Sequence, residues 1–169
     1  MGKPKIILVC LSSFEEEVLS WISDDIIHSF HFSVERIESN PDLSDYYNPG
    51  RRQYDGNDIL QLVSGMAPAK GIKTIGLVKV DLFIPILTYI FGQAVLGGNT
   101  AIASLYRLRN ELYGLKQNYM LQIERLRKVV IHELGHTFGL IHCLNPGCVM
   151  RSSTYVEDLD QKGINFCHS

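Results

Sequence analysis

The stretch HELGHTFGLIH, residues 132–142, constrains this chain more than any other part of its sequence. His132 and His136 are four residues apart, so on a helix both side chains project from the same face. Two imidazoles at this spacing can bind one Zn²⁺, and Glu133 stands where a carboxylate reaches the metal's water as a general base. The pattern therefore predicts a helix that carries a zinc site equipped for hydrolysis.

The third zinc ligand has to come from beyond the end of this helix. Gly139 can adopt the left-handed conformation that ends a helix and turns the chain. His142, three residues later, can then return as the third protein ligand and leave the fourth position open for water, as in catalytic zinc sites. The alternative is an accidental pair of histidines on an exposed helix face, which the added Gly139 and His142 make much rarer.

The rest of the sequence predicts an α+β fold in which helices pack on a mixed β-sheet. Apolar runs predict strands at residues 5–11, 33–38 and 72–83, and a hairpin that turns at residues 97–99. Helical spacing of apolar residues predicts helices at residues 14–30 and 59–66, and from about residue 115 through the zinc motif. Thr154 and Glu157 have the spacing of a capping box, which predicts one more short helix near the C-terminus.

Length and charge exclude several classes of protein. The chain has 169 residues, which suits one domain, and a net charge of −2 gives no electrostatic case for nucleic acid or an anionic membrane. The uncharged run 82–98 is interrupted by Pro85 and Gln93, so we interpret it as core strand and not as a membrane span. We expect a cytoplasmic protein and assume a monomer. In that compartment clustered cysteines hold metal more often than they form disulfides.

The residues that follow the third histidine resemble those of one family of zinc peptidases. HELGHTFGLIH followed by CVM is similar to the metzincin metallopeptidases, in which a methionine turn lies beneath a three-histidine zinc site. Met150 would be that methionine. Cys143 and Cys148 precede it in the pattern C-x₄-C-x-M, and Cys167 follows. This arrangement resembles the archaemetzincins, in which four cysteines bind a second, structural zinc.

The resemblance implies a zincin-like α+β fold and a single catalytic domain over residues 1–169. Residues 1–139 would form an N-terminal lobe with the sheet and the active-site helix. Residues 140–169 would form a C-terminal lobe with the third histidine, the methionine turn and the cysteines. Structural zinc usually has four ligands, and this sequence contains three of the family's four cysteines. A cysteine beyond the last residue, His168 or a water would supply the fourth. Inert thiols, or a disulfide between Cys143 and Cys148, are the alternatives.

The predicted reaction is zinc-dependent hydrolysis of peptide bonds in a peptide or protein substrate. Glu133 would take a proton from the zinc-bound water and pass it to the departing amine. By analogy with metzincins, the edge near residues 93–96 would pair with an extended peptide. Some relatives use a tyrosine two residues after the methionine; that position is Ser152 here, and Tyr155 is a weaker candidate. The alternatives are a zinc-stabilised binding module with a vestigial site and a hydrolase of non-peptide amides.

Overall fold

The computed structural model describes residues 2–68 and 71–168. Within them the elements, in chain order, are β1 (Lys5–Cys10), α1 (Glu16–Phe30), β2 (Ser33–Glu38), β3 (Tyr47–Asn48), β4 (Gln53–Asp55), α2 (Gly56–Met66), β5 (Gly71–Val78), β6 (Leu82–Ile84), β7 (Leu87–Ile90), β8 (Gly92–Ala94), β9 (Thr100–Ser104), α3 (Tyr119–Thr137) and α4 (Val156–Gln161). The fold is α+β, as the sequence predicts. None of these helices is long and apolar enough to cross a membrane.

The larger of the two sheets is mixed and has the strand order β2-β1-β5-β9-β8. Its first four strands are parallel, and β8 runs antiparallel to β9 at the outer edge. The predicted hairpin at residues 97–99 is confirmed, and Gly97 there has a φ of +68°. Gln93 pairs with Ile102, so the segment expected to bind a peptide lies in the edge strand.

Helices cover both faces of this sheet, which explains the uninterrupted apolar run of β1. Successive strand residues point to opposite faces. Ile6 and Leu8 therefore pack in one core with α1 and α3, whereas Ile7 and Val9 pack in a second core with α2. All four side chains are fully buried. A strand buried on both faces has to be apolar at every position. On the first face, α3 packs directly against β8 and β9.

The prediction of a single strand over residues 72–83 is wrong, because the chain leaves the large sheet after Val78. Asp81 is buried there, and its two carboxylate oxygens accept hydrogen bonds of 2.8 and 2.6 Å from Arg107. The chain then enters a second sheet of order β3-β4-β6-β7, which the sequence does not predict. Its strands have only two to four residues, too few for an apolar period to be recognised.

Two helices begin at residues other than those predicted, and in each a side-chain cap marks the observed start. The zinc-motif helix α3 begins at Tyr119 and not near residue 115, because Asn118 Oδ1 accepts a hydrogen bond of 3.1 Å from Leu121 N. Helix α2 begins three residues earlier than predicted, where Asp55 Oδ1 accepts a bond of 2.9 Å from Asn57 N. Each cap satisfies a backbone donor that the first turn leaves without a partner.

The short C-terminal helix is present as α4, but the predicted capping residue is wrong. Asp158, and not Glu157, reaches back to the start of the helix. Its Oδ2 accepts hydrogen bonds of 2.9 Å from the backbone nitrogens of both Thr154 and Tyr155. The helix therefore starts one residue later than the sequence spacing of Thr154 and Glu157 indicates. A carboxylate at this end also opposes the positive end of the helix dipole.

Candidate active site and metal centres

Three imidazoles converge beside the edge strand β8. His132 and His136 lie in the last turns of α3, and His142 lies in the segment that follows. One ring nitrogen of each is within 4.8 Å of the other two, and the ring centroids are 4.7, 5.0 and 5.3 Å apart. Gly139, with a φ of +90°, reverses the chain between the second and third histidine. The structure thus brings the three predicted ligands together.

Backbone carbonyls orient the two helix imidazoles. Nδ1 of His132 lies 2.8 Å from the oxygen of Val149, and Nδ1 of His136 lies 2.7 Å from the oxygen of Leu140. A carbonyl can only accept, so we assign the ring proton to Nδ1 in both, which leaves each Nε2 with a lone pair. The two Nε2 atoms are 3.1 Å apart. Nitrogens at about 2.0–2.1 Å from a tetrahedral zinc are separated by about 3.3 Å, so this donor set fits zinc.

Burial favours the neutral form of His132 and His142. It lowers the pKa of His132 to about 3, and the positive charge of Lys162 lowers it further. The pKa of His142 is also lowered, chiefly by burial and next by His136. Because a protonated imidazole has no lone pair for a metal, these shifts favour metal binding at neutral pH.

Glu133 is buried between α3 and the edge strand. Burial raises the pKa of its carboxyl to about 8, and Lys162 opposes that shift. A Cβ added at Gly92 of β8 would lie 2.8 Å from Glu133 Cγ and 2.6 Å from the backbone oxygen of Ile102. The edge strand therefore approaches the carboxylate side chain closely only because residue 92 is glycine. Any bound cation would lower the pKa of Glu133 again.

Met150 packs against the zinc-motif helix at Gly135, the residue before His136. Met150 is almost fully buried, and a Cβ added at Gly135 would lie 2.6 Å from its sulfur. Its backbone oxygen accepts a hydrogen bond of 3.0 Å from Cys143 N, which ties the methionine segment to the residue after His142. The glycine of HELGH thus makes room for the methionine.

Three thiols form a second cluster next to the histidines. The Sγ atoms of Cys143, Cys148 and Cys167 are all within 4.8 Å of one another, and Cys143 and Cys167 are 3.5 Å apart. Thiolates at about 2.3 Å from a tetrahedral zinc are separated by about 3.8 Å, so this donor set also fits zinc. Backbone nitrogens of Asn145 and Met150 donate to the sulfurs of Cys143 and Cys148, each over 3.4 Å.

The structure also bears on the alternative disulfide, on His168 as a fourth ligand and on Cys10. Cys143 and Cys148 are both free thiols, so the alternative disulfide between them is absent. His168 is exposed and does not belong to the three-thiol group found among the described residues. Cys10 is buried in β1 as a small hydrophobic residue, and burial raises the pKa of its thiol to about 11.

A cleft of about 620 Å³ lies over the histidine cluster. It is lined by the edge strand and the preceding hairpin (84 and 87–94), by Val129, His132, Glu133, His136 and His142, and by Ser152, Ser153, Thr154, Tyr155, Leu159 and Lys162. The predicted peptide-binding edge, the predicted base and the predicted ligands therefore share one cavity. Tyr155 reaches this cleft but is largely exposed, and Ser152 also lines it.

Lys162 is the cleft residue that the sequence does not reveal. It is only 3% exposed, and its Nζ donates a hydrogen bond of 2.7 Å to the oxygen of Arg151. Burial lowers the pKa of Lys162 to about 8, and Glu133 opposes this shift, so the side chain remains mainly protonated at pH 7. A lysine in a polar segment is normally exposed, and no local pattern distinguishes this one.

Comparison with known proteins matches residues 35–169 to peptidase family M54. The chain belongs to peptidase family M54. An archaemetzincin from Pyrococcus furiosus is 38% identical over 168 residues, which cover 96% of this chain and 88% of that protein. The crystal structure of archaemetzincin from Methanopyrus kandleri matches with a TM-score of 0.85 and 30% identity, over 98% of this chain and 90% of that one. A zinc-dependent peptidase from Methanocorpusculum labreanum also matches with a TM-score of 0.85, at 29% identity over 96% of each chain.

Membership of the M54 family confirms the archaemetzincin resemblance and the α+β metzincin-like fold. It also makes the chain a zinc metallopeptidase, with peptides or proteins as its class of substrate. The histidine and cysteine clusters are the two groups of potential metal ligands among the described residues. The histidine cluster lies in the cleft, where a zinc-dependent family needs potential metal ligands.

Proposed function

We propose that this M54 peptidase hydrolyses peptide bonds with one zinc held by His132, His136 and His142 and with Glu133 as the general base. The observation that carries the proposal is that three clustered imidazoles and a buried carboxylate share one cleft. Zinc at such a site supplies a Lewis acid that lowers the pKa of water and polarises the scissile carbonyl.

The protein groups perform the remaining tasks. Glu133 accepts a proton from the attacking water and delivers it to the departing amine. The carbonyls of Val149 and Leu140 hold the helix imidazoles in the orientation that leaves Nε2 free. Among the described residues β8 is the last strand of its sheet, so its outer edge can pair with an extended peptide. Burial of Glu133 keeps bulk water from its carboxylate.

The test replaces Glu133 by Gln, which keeps the size of the side chain but removes the base. We expect Glu133→Gln to retain zinc and to lose at least about a hundredfold in kcat, the usual contribution of a general base. Glu124→Gln is the matched control, because Glu124 lies on the same helix with an exposed side chain. Unchanged turnover in Glu133→Gln would remove the base from the mechanism.

A peptide library with free and blocked N-termini tests the substrate class. Cleavage by wild type, and not by Glu133→Gln, supports the peptidase. A preference for free N-termini identifies an aminopeptidase, and indifference to blocking identifies an endopeptidase. Wild type fully loaded with zinc that cleaves no member of the library would favour the alternative, a zinc-stabilised binding module with a vestigial site.

We also propose that Cys143, Cys148 and Cys167 hold a second zinc that stabilises the fold. Their sulfur separations and the backbone donors to two of them support this role. Zinc binding at a thiolate site contributes directly to folding free energy. We expect Cys148→Ser to lose one zinc per chain and to lower the melting temperature more than it changes peptide hydrolysis at low temperature. An unchanged zinc content and melting temperature would contradict a structural site.

The proposed lobes are residues 1–139 and 140–169, with the cleft between them. The lining of the cleft supports this division, since β8 contributes from the first segment and residues 152–155 contribute from the second. Free Cys143 and Cys148 support a reducing compartment such as the cytoplasm, and we propose a monomer. Sedimentation of the zinc-loaded protein measures the oligomeric state.

A further inference from the structure

We propose that Lys162 is the cationic end of a substrate subsite, which takes a carboxylate of the substrate close to the scissile bond. The proposal rests on the proposed peptidase function and adds to it a class of preferred substrate. That class is a peptide with either an acidic side chain next to the cleaved bond or a free C-terminal carboxylate close to it.

The first observation is that Lys162 is buried in the cleft and forms no ion pair with a carboxylate of residues 2–68 and 71–168. Its Nζ donates to one acceptor, the oxygen of Arg151 at 2.7 Å. Nδ1 of His132 is 3.5 Å away, but it already donates to Val149 and offers no lone pair. None of the ion pairs among the described residues includes Lys162. An ammonium has three donors, so two of them have no acceptor among the described residues.

The second observation is an unpartnered hydroxyl in the same cleft. Ser153 Oγ and Gln93 Oε1 are the buried side-chain oxygens that lack a hydrogen-bond partner within residues 2–68 and 71–168. Both residues line the cleft. Buried polar groups in proteins are nearly always paired, with protein, water or ligand, so a bound peptide can satisfy these two atoms. Gln93 lies in the edge strand, where its oxygen can accept from a donor on a bound peptide.

The hydrogen-bond donors of the cleft and its apolar lining together favour a carboxylate ligand. The ammonium of Lys162 and the hydroxyl of Ser153 can both donate to an acceptor, and a carboxylate accepts through both of its oxygens. Val129 and Leu159, which also line the cleft, supply apolar surface for the methylenes of a Glu or Asp side chain. A neutral amide would place its NH₂ group against these donors, and an ammonium ligand would be repelled.

The position of Lys162 places this subsite beside the reacting centre. Its Nζ is 3.5 Å from Nδ1 of His132, and Lys162, His132 and Glu133 line the same cleft. A carboxylate that reaches Lys162 therefore belongs to a residue next to the cleaved bond or to the C-terminus of a short fragment. Long-range attraction to a distant acidic segment would not need a buried lysine.

A purely structural role for Lys162 makes a different prediction, and Lys128 provides the matched control. Lys128 Nζ donates a hydrogen bond of 2.9 Å to the oxygen of Leu159, so this lysine too bonds to a backbone oxygen of the C-terminal segment. Lys128 does not line the cleft. If Lys162 only stabilises the fold, Lys162→Met and Lys128→Met should change kcat/KM to a similar extent. Neither change should depend on the charge of the substrate.

The experiment compares peptides that carry Glu or Gln at each position flanking the cleaved bond, each with a free or an amidated C-terminus. We measure kcat and KM for zinc-loaded wild type, Lys162→Met and Lys128→Met. We expect wild type to favour one acidic peptide over its neutral partner by about tenfold or more in kcat/KM, equivalent to about 1.4 kcal/mol. The preference should fall to near one in Lys162→Met and persist in Lys128→Met.

The arms of the experiment separate the two sources of the carboxylate. A preference for Glu over Gln that survives amidation identifies an acidic side chain. A preference for the free C-terminus over the amide, with Glu or Gln beside the cleaved bond alike, identifies the C-terminal carboxylate. Wild type that cleaves all these peptides equally well retains the proposed function and overturns the subsite. The same holds if Lys162→Met keeps the full preference.

A binding measurement keeps the proposal testable if hydrolysis is absent or a variant does not fold. Calorimetric titration of zinc-loaded wild type and Glu133→Gln with the same Glu and Gln peptides does not depend on turnover. Tighter binding of an acidic peptide supports the subsite even if the chain cleaves nothing, and equal binding overturns it. If Lys162→Met fails to fold, Lys162→Arg replaces it: this variant keeps the charge and should keep the preference, and its loss would count against a charge-based subsite.

Discussion

Replacement of Asp160 by Ala should show how strongly α4 is anchored to the zinc-motif helix. Arg125 of α3 is 3% exposed, and its guanidinium donates to both carboxylate oxygens of Asp160 over 2.8 and 2.7 Å. The same guanidinium donates to the oxygen of Leu108 at 2.9 Å and to Asn110 Oδ1 at 2.8 Å. Asp160→Ala removes the only carboxylate that forms an ion pair with Arg125 among the described residues and leaves the buried cation with two neutral acceptors.

The size of the effect follows from the exposure of the two partners. Removing one partner of a fully buried ion pair costs about 3–5 kcal/mol. The carboxylate of Asp160 is 32% exposed, and Arg125 retains two hydrogen bonds, so the cost is smaller. We expect the free energy of unfolding to fall by about 2 kcal/mol. For a chain of this size that corresponds to a melting temperature lower by about 4–8 °C.

Equilibrium unfolding in urea, followed by circular dichroism on zinc-loaded protein, measures this difference. Glu16→Ala is the control, because the Glu16–Arg36 pair has a similar distance of 2.6 Å but a largely exposed carboxylate. That variant should lose less than about 1 kcal/mol. Arg125→Met combined with Asp160→Ala should regain part of the stability, since no buried charge remains. Equal losses in Asp160→Ala and Glu16→Ala would refute the reasoning.

Two further predictions concern close packing and a buried thiol. Gly92→Ala should reduce peptide hydrolysis at least about tenfold, because its Cβ would meet the backbone of Ile102 and the side chain of Glu133. Gly65→Ala, whose Cβ would meet nothing within 4 Å, should leave kcat/KM unchanged, and equal kinetics in both variants would contradict the prediction. Burial raises the pKa of Cys10 to about 11 from about 9, so the folded state favours the neutral thiol. Its contribution to stability is therefore present below pH 9 and lost between pH 9 and 11. Cys10→Ala should lose less stability than wild type over that window in urea titrations, and parallel losses would contradict this.

Local patterns in the sequence predict most of the secondary structure that surrounds the site. The strand predicted at residues 33–38 has those bounds in the structure, and the helix that carries HELGH begins within about four residues of its predicted start. Both follow from short-range regularities, the apolar spacing of strand and helix. Helix starts were less well predicted because capping residues such as Asn118 and Asp158 compete with other polar residues nearby.

Contacts between distant segments account for what the sequence did not predict. The second sheet consists of strands of two to four residues that are stable only when paired with one another. The break after Val78 depends on an ion pair between Asp81 and Arg107, which are 26 residues apart. Neither feature leaves a periodic signal within a short window.

The sequence by itself determined which residues we propose as zinc ligands and as the base, because those side chains lie within eleven residues of one helix and turn. The spacing of His132, Glu133 and His136 on a helix sets their relative directions whatever the rest of the chain does. Only the tertiary structure decided what faces them. It brought β8 against Glu133, carbonyls against the imidazoles and Lys162 into the cleft. These contacts join segments far apart in the chain, and burial of a charge such as that of Lys162 arises only when the fold closes around it.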